Sequence, residues 1–302
     1  MKQALPSGMV QMKAPVLVHR QIAQDHSLMR LKAPAIARRA IAGQFIHLSC
    51  TNSPSTNPLL KRPFSLLDVN PPAGTIDFIY KVVGRGTAVL TEVPVGSQLD
   101  LLGPLGRPFT IPSGLKNAYL VGGGVGIPPL YLLAQGLLRG HKAGNAREID
   151  VFLGARTKEW VICAEMFRKL GVNVHIATDD GTLGYRGSVV DLLASVIASE
   201  RSERSNLAFK TKIASGAGRP RNDKRMFYIC GPTPMMAAAA AVARERELPA
   251  QVSLEERMGC AMGCCMGCVV EVTTEPAASH ARFQRVCTEG PVFPVEAIAW
   301  KE

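Results

Sequence analysis

The chain has 302 residues, of which 47% are hydrophobic and 20% charged, and its formal net charge is +11. This composition is typical of a folded protein of about two domains and excludes a disordered or collagen-like chain. Eight basic residues against two acidic ones give the segment 201–225 a charge of +6, without an interleaved aromatic pattern that could stack on bases. We interpret this segment as a solvated insertion loop and expect no nucleic-acid partner.

The first third of the chain predicts a β-barrel. Short segments rich in β-branched and apolar residues, bounded by Gly, Pro and Asn, occur at 15–21, 43–50, 63–69, 75–83 and 97–103. Regular short strands without a helical period favour an antiparallel barrel. We expect this domain to span residues 1–107.

Beyond residue 107, strand-like and helix-like segments alternate. Strand-like segments lie at 118–123, 148–156, 172–180 and 225–232, and helix-like segments at 129–140, 159–171, 187–200 and 235–247. This alternation indicates a doubly wound parallel sheet over residues 108–250, with 201–225 as a basic insertion.

The uncharged stretch 117–138 is long enough to span a membrane. Four glycines and two prolines in its centre exclude one continuous helix, so we expect no membrane segment. The N-terminus lacks the pattern of an export signal. We therefore expect a cytoplasmic protein whose eight cysteines serve metal or redox chemistry.

Four motifs predict nucleotide sites. RPFS at 62–65 offers an arginine that can bind a diphosphate through two hydrogen bonds, and YKVVGRGT at 80–87 adds an anion-binding turn. GGGVGIPPL at 122–130 follows a predicted strand, where backbone amides and a helix N-terminus favour a pyrophosphate. YICGP at 228–232 ends another predicted strand, the edge at which doubly wound sheets bind ligands. Each motif alone also fits a structural role, as a surface arginine, a hairpin, a packing turn or a buried cysteine.

The most specific motif lies in the C-terminal segment 251–302. Cys260, Cys265 and Cys268 follow Cys-x4-Cys-x2-Cys spacing, and Cys287 comes eighteen residues later. The spacing of the first three is that of a plant-type 2Fe–2S ligand set. A structural zinc site is the alternative, although zinc sites more often use two Cys-x2-Cys pairs. The glycine-rich stretch favours a loop over a helix, so we expect Cys265 to be the ligand and Cys264 a bystander.

In this order, the four nucleotide motifs resemble those of the ferredoxin-reductase superfamily. With LEERMGCAMGCCMGCVVEV at 254–272 and RVCTEGPVF at 285–293, the chain resembles the electron-transfer subunits of NAD-dependent dihydroorotate dehydrogenases. The resemblance covers about residues 10–300. It implies an FAD-binding barrel, an NAD-binding α/β domain and a short iron–sulfur tail.

The resemblance also implies the ligand residues. FAD would be held by Arg62, Pro63, Phe64, Ser65, Tyr80, Lys81, Val82, Gly86 and Thr87. NAD would be held by Gly122, Gly123, Gly124, Gly126, Cys230, Gly231 and Pro232, with Cys230 near the nicotinamide and no dedicated catalytic residue. The 2Fe–2S cluster would be held by Cys260, Cys265, Cys268 and Cys287. The choice between NAD and NADP stays open, because no clear acidic residue marks the usual ribose position.

In this family, electrons pass from dihydroorotate to FMN on a separate catalytic subunit, then through the cluster and FAD to NAD in pyrimidine biosynthesis. The chain contains no candidate orotate site and no further large domain for FMN. The resemblance therefore implies half of an enzyme, assembled as a heterotetramer with two copies of each subunit. The alternatives are a subunit of a ferredoxin:NAD(P) oxidoreductase or of a sulfur-reducing or hydrogenase complex, and a non-enzymatic zinc-stabilised interaction module.

Overall fold

The structure is a computed structural model, and it describes residues 8–51, 57–139, 148–199, 224–273 and 282–300. Nearly all of the basic segment 201–225 lies outside these residues, so its predicted role stays a prediction. No helix in the described ranges is both long enough and apolar enough to cross a membrane.

The N-terminal domain is a closed antiparallel barrel, as predicted. Its strands are β1 Val10–Ala23, β2 His26–Lys32, β3 Phe45–Leu48, β4 Arg62–Asn70, β5 Thr75–Lys81 and β6 Gln98–Leu105, in the order β1-β2-β5-β4-β3-β6. Two short helices, α1 Pro34–Ala37 and α2 Arg85–Thr91, lie in the connections. The sequence prediction missed β2, and it expected a turn or a hairpin where α2 lies.

The second domain is a parallel sheet with helices on both faces. Its strands are β7 Leu115–Gly123, β8 Glu148–Ala155, β9 Asn173–Thr178, β10 Tyr185–Arg186, β11 Lys224–Cys230 and β12 Ala250–Ser253, in the order β10-β9-β8-β7-β11-β12. The helices are α3 Ile127–Arg139, α4 Ala164–Lys169, α5 at 189–199 and α6 Thr233–Glu245. Pro128 and Pro129 occupy the first turn of α3, where a missing N–H costs no helical bond.

The C-terminal segment packs onto the sheet. β13 Val269–Glu271 pairs with β14 Phe283–Arg285 in a small hairpin, and β15 Val292–Pro294 adds antiparallel to β12. All four residues of β12 pair with β11 in the parallel sheet, so this strand lies across the predicted boundary at 250/251, which stays a prediction. The alternating pattern could not reveal this, since a four-residue buried strand has no readable period.

The barrel, the sheet and the cysteine segment share one apolar core. Phe45 and Leu105 of the barrel lie in the same cluster of buried side chains as Val252 of β12 and as Cys268 and Cys287. The segment with the cysteines is thus packed where the barrel meets the sheet. This packing brings the predicted cluster site close to the predicted flavin domain.

Candidate functional site

Arg62 and Gly86 bring the two barrel motifs together. A Cβ on Gly86 would lie 3.0 Å from Nε and 3.2 Å from Nη2 of Arg62, so the guanidinium rests on the glycine backbone. Nη1 donates to the carbonyl oxygens of Leu60 and Lys61 at 2.6 and 3.2 Å. Among the described residues nothing accepts a hydrogen bond from Nε or Nη2. Two N–H groups beside a turn without a side chain form a cradle that fits a diphosphate.

Thr87 fixes the turn that carries Gly86. Its Oγ1 accepts a hydrogen bond from the backbone N–H of Val83 at 2.9 Å and donates to the carbonyl of Gly84 at 3.0 Å. The hydroxyl of Thr87 is therefore used inside the turn. Thr87 was predicted to lie at the FAD diphosphate. Its contribution there would come from the turn backbone that its hydroxyl stabilises, because the hydroxyl itself is already hydrogen-bonded.

Phe64 and Tyr80 lie inside the barrel. The ring of Phe64 stacks on Phe78 with 4.8 Å between centroids, and Tyr80 lies 5.9 Å from Phe64. Nδ1 of His19 lies 2.8 Å from the carbonyl of Val93 and must donate to it, so Nε2 accepts from the Tyr80 hydroxyl at 2.8 Å. Burial raises the pKa of Tyr80 to about 12. The hydroxyl is thus satisfied by His19, which no sequence motif marked.

Lys81 connects the barrel to the nucleotide domain. Its Nζ lies 4.1 Å from the ring centroid of Trp160, which follows β8, as a cation–π contact. Val82 donates its backbone N–H to the carbonyl of Asp25 at 2.9 Å, at the end of the same strand. Pro63 and Ser65 lie on β4 in register with β3. The structure thus places all predicted flavin residues on β4, β5, α2 and the turn between β5 and α2.

The glycine motif and the CGP motif meet at the carboxyl edge of the sheet. β7 and β11 are parallel neighbours, with Gly122 opposite Cys230. A Cβ on Gly126 would lie 2.4 Å from the C and O atoms of Cys230 and 2.5 Å from the nitrogen of Gly231. The two backbones therefore touch, which only glycine at position 126 permits. The predicted NAD residues form one corner.

The corner has a closed side and an open side. A Cβ on Gly123 would meet Sδ of Met235 at 2.9 Å and Cδ of Pro232 at 3.2 Å. In contrast, Gly124 has a φ of +54° and nothing within 4 Å of its Cβ position. Pro128 and Pro129 at the start of α3 have no N–H, and the N–H of Ile127 donates to the carbonyl of Gly124, so the helix start contributes its dipole rather than free N–H groups. Open space beside the glycine backbone at a helix start fits a pyrophosphate.

Glu255 lies beside Cys230 and was missed by the sequence prediction. It comes two residues after Ser253, the partner of Cys230 in the β11–β12 ladder. Burial, and then the charge of Glu255, raise the pKa of the Cys230 thiol. The Glu255 side chain is reached by solvent, yet desolvation by the surrounding protein raises its pKa to about 7.

Two carboxylates lie at the neighbouring strand end, where the sequence prediction found no clear acidic residue. The N–H of Asp179 donates to the carbonyl of Ala155 at 3.1 Å, and that of Asp180 to Arg156 at 3.3 Å. Oδ1 of Asp180 accepts from the N–H and the hydroxyl of Thr182 at 3.0 and 2.7 Å. The backbone at the end of β9 therefore packs against the backbone at the end of β8, which places two acidic residues at this edge of the sheet.

The four predicted cluster cysteines form two pairs. Cys260 lies beside Cys265, whose backbone N–H donates to Sγ of Cys260 at 3.4 Å, and the thiol of Cys287 lies beside that of Cys268. Sγ of Cys265 also lies 3.3 Å from the Cβ position of Gly259. The described residues contain no compact group of three or more ligands for one metal ion. Two pairs of thiols instead match a two-iron cluster, in which each iron takes two protein ligands.

The two pairs lie in different surroundings. Cys268 and Cys287 are 3% and 2% exposed, whereas Cys265 is exposed and Cys260 half-buried. Partial burial opposes ionisation of Cys260, yet hydrogen bonds from Met262 and from Cys265 lower its pKa to about 7. Burial, and then the adjacent Cys268 thiol, raise the pKa of Cys287 to about 12. Only the backbone of Cys264 is directed at Cys260, and its side chain is exposed.

Three families match successive parts of the chain. Residues 13–109 match the oxidoreductase FAD-binding domain, and residues 120–241 match the oxidoreductase NAD-binding domain. Residues 255–299 match the iron–sulfur cluster binding domain of dihydroorotate dehydrogenase B.

Curated relatives align along almost the full chain. The dihydroorotate dehydrogenase B (NAD(+)) electron transfer subunit of Desulforamulus reducens is 35% identical over 288 residues, covering 95% of this chain and 98% of the relative. The subunit of the same name from Geobacillus thermodenitrificans is 36% identical over 281 residues, covering 92% and 94%. The chain belongs to this family of electron-transfer subunits. It is therefore an oxidoreductase subunit with FAD-binding, NAD-binding and iron–sulfur-binding domains.

Solved structures agree with this assignment. A chain of an NADH-dependent reduced ferredoxin-NADP oxidoreductase aligns with a TM-score of 0.75 and 28% identity, covering 96% of this chain and 90% of that chain. A ferredoxin NADP+ reductase from Neisseria gonorrhoeae with bound FAD and NADP aligns with a TM-score of 0.59 and 16% identity, covering 80% and 92%. The second similarity supports the fold alone. Both agree with the barrel-and-sheet architecture predicted for the ferredoxin-reductase superfamily.

Proposed function

We propose that this chain lets NAD+ accept the electrons released when a partner dihydroorotate dehydrogenase, carrying FMN, oxidises dihydroorotate in pyrimidine biosynthesis. A 2Fe–2S cluster and FAD are the carriers. The family membership supplies the reaction, and the paired thiols beside a flavin barrel carry the proposal for this chain.

A cluster and a flavin are both needed because the two ends of the electron pathway exchange different numbers of electrons at a time. Nicotinamide exchanges two electrons as a hydride, an iron–sulfur cluster moves one at a time, and a flavin does both when bound between them. In this chain, Cys268 and Cys287 share a buried core with the barrel residues Phe45 and Leu105. This shared core supports placing a one-electron carrier within reach of the flavin domain.

The residues of the chain bind and orient the cofactors. For FAD, Arg62 offers Nε and Nη2 over the Gly86 backbone, so a diphosphate gains charge-assisted hydrogen bonds without a side chain in its way. For NAD, the open space at Gly124, at the positive end of the α3 dipole, would receive the pyrophosphate. The Cys230–Gly231–Pro232 corner would then border the nicotinamide, with the buried Cys230 in its wall.

The acidic residues at the end of β9, whose backbone packs against the end of β8, support NAD as the nucleotide. Asp179 and Asp180 would repel the 2′-phosphate of NADP, whereas carboxylates accept hydrogen bonds from ribose hydroxyls. We expect NADH to bind more tightly than NADPH. Equal affinities in a titration of the flavoprotein would contradict this part of the proposal.

The strand ends support domain limits at 1–107 for FAD, 108–253 for NAD and 254–302 for the cluster.

We also propose a heterotetramer with two copies of each subunit, as implied by the family. A cytoplasmic location is supported by eight cysteines that form no disulfide.

The test is to purify the chain alone and with its partner. Alone, it should contain FAD, iron and acid-labile sulfide, and it should oxidise NADH with artificial acceptors without any dihydroorotate turnover. Addition of the FMN-containing dehydrogenase should restore dihydroorotate:NAD+ activity. Turnover by the single chain, or colourless protein with one zinc, would refute the proposal. Exchange of electrons with ferredoxin but not with the dehydrogenase would instead favour a ferredoxin:NAD(P) oxidoreductase subunit, a candidate that the similarity to the solved oxidoreductase favours.

A further inference from the structure

Arg285 holds two parts of the cysteine segment together. Its Nη1 donates to the carbonyl of Gly263 at 2.8 Å. Its Nε and Nη2 donate to the two carboxylate oxygens of Glu289 at 2.9 and 2.5 Å. The backbone N–H of Arg285 donates to Glu289 as well, at 2.7 Å. The planar guanidinium thus uses one edge for Glu289 and another for the loop.

The hydrogen bond between Arg285 and Gly263 joins two segments of the chain that carry different cluster ligands. Gly263 lies in the loop between Cys260 and Cys265, whereas Arg285 is two residues before Cys287. The loop 260–268 and the strand end at 285–287 are more than fifteen residues apart along the chain, and residues 274–281 between them lie outside the described ranges. The contact therefore joins the loop with three of the cysteines to the strand end that carries the fourth.

The loop is also pressed tightly against this strand end. Gly263 has a φ of +83°, and a Cβ there would meet Cγ2 of Thr288 at 3.0 Å and Nη1 of Arg285 at 3.2 Å. A further hydrogen bond runs from the N–H of Val286 to the carbonyl of Cys268 at 2.9 Å. Thr288 contacts the loop at the same point, whereas Arg285 donates a hydrogen bond to it, in the part of the loop where Cys265 is exposed.

We propose that Arg285, oriented by Glu289, is the positioning residue that keeps the exposed thiol pair in place against the buried pair. The inference rests on the proposed cluster site. Without Arg285, the pair formed by Cys260 and Cys265 would move relative to Cys268 and Cys287. Four ligands of one small cluster must stay within a few tenths of an ångström of the right geometry, so such movement weakens cluster binding. A lysine cannot replace the arginine fully, because one ammonium lacks the planar fork that serves two acceptors at once.

The hairpin provides a matched control. Arg282 pairs with Glu271 through Nε and Nη2, so it is the same kind of ion pair on the same hairpin. None of the described hydrogen bonds of Arg282 reaches the cysteine loop. The comparison of Arg285→Gln with Arg282→Gln therefore separates the loss of an arginine pair from the loss of the loop contact.

Two measurements on the full chain test the proposal. In the holoprotein, loss of the visible cluster absorbance in the presence of a chelator should be about tenfold faster for Arg285→Gln and unchanged for Arg282→Gln, with Arg285→Lys between wild type and Arg285→Gln. Hydride transfer from NADH to FAD, followed by rapid mixing, should be the same in all variants. Equal rates of cluster loss for the two glutamine variants would overturn the proposal.

The second measurement does not need the cluster. In iron-free protein, amide hydrogen exchange of residues 259–268 should be faster in Arg285→Gln than in wild type or Arg282→Gln. If no preparation takes up iron, the proposed function fails, while this exchange result still decides the role of Arg285. Unchanged exchange in Arg285→Gln would show that the contact does not hold the loop.

Discussion

The contact between Gly126 and the Cys230–Gly231 backbone gives the sharpest test of the nucleotide corner. In Gly126→Ala, the new Cβ would lie 2.4 Å from the C and O atoms of Cys230, whereas ordinary contacts begin at 3.4 Å. The two strand ends must therefore separate by about 1 Å. The opposing atoms are backbone, so no rotamer change can relieve the clash.

The size of the effect follows from this displacement. Overpacking of a tight interior site costs about 1–3 kcal/mol, and we expect the upper part of that range because backbone must move. A shift of about 1 Å at a ligand-positioning element can reduce reaction rates by about a hundredfold. We therefore expect a large loss of hydride transfer from NADH, with FAD retained in the barrel.

Gly136→Ala is the matched control, because Gly136 lies within α3 and has nothing within 4 Å of its Cβ position. An alanine in a helix interior should stabilise the protein by about 0.5–1 kcal/mol. Urea unfolding followed by circular dichroism measures stability, and rapid mixing with NADH measures flavin reduction. The reasoning is refuted if Gly126→Ala unfolds at the wild-type urea concentration and reduces its flavin at the wild-type rate.

Three other changes test the remaining sites. Arg62→Lys loses the fork over the Gly86 turn, so the Kd for FAD should rise about tenfold, and wild-type retention of flavin after dialysis would contradict this. Cys265→Ser should lose iron and acid-labile sulfide while Cys264→Ser keeps both, and equal losses would contradict the thiol pairing. The carboxyl of Glu255, with a pKa of about 7, is neutral below that pH and negative above it. Its negative charge favours the positive nicotinamide of NAD+, so the affinity for NAD+ relative to NADH should rise between about pH 6 and pH 8; an identical profile in Glu255→Gln would exclude this role.

Much of the fold could be predicted because it depends on local patterns. Short strands bounded by turn residues indicated the barrel, and alternating strands and helices indicated the parallel sheet. β2 was missed because His26–Lys32 mixes buried polar and apolar residues without strict alternation. α2 was missed because its start depends on hydrogen bonds that the backbone N–H groups of residues 83 and 84 donate to the Thr87 hydroxyl.

The functional residues divide in the same way. Glycines and cysteines could be found from their spacing, because few other residue types serve tight backbone contact or iron binding. Glu255 and Asp180 could not, because their roles depend on which strand ends are neighbours in the sheet. Spacing also left open which thiols form pairs, since a loop brings Cys260 to Cys265 and a hairpin brings Cys268 to Cys287.

The strand β15 has a consequence for engineering of the reductase. Without it, β12 would be the edge of the sheet, and its residues Ala250–Ser253 are all buried. An uncovered edge strand offers unpaired N–H and carbonyl groups to other chains and promotes aggregation. The FAD and NAD domains alone, cut after residue 253, are therefore a poor expression target. The tail that carries the cysteines also covers the edge of the sheet formed by β12, the last parallel strand of the nucleotide domain.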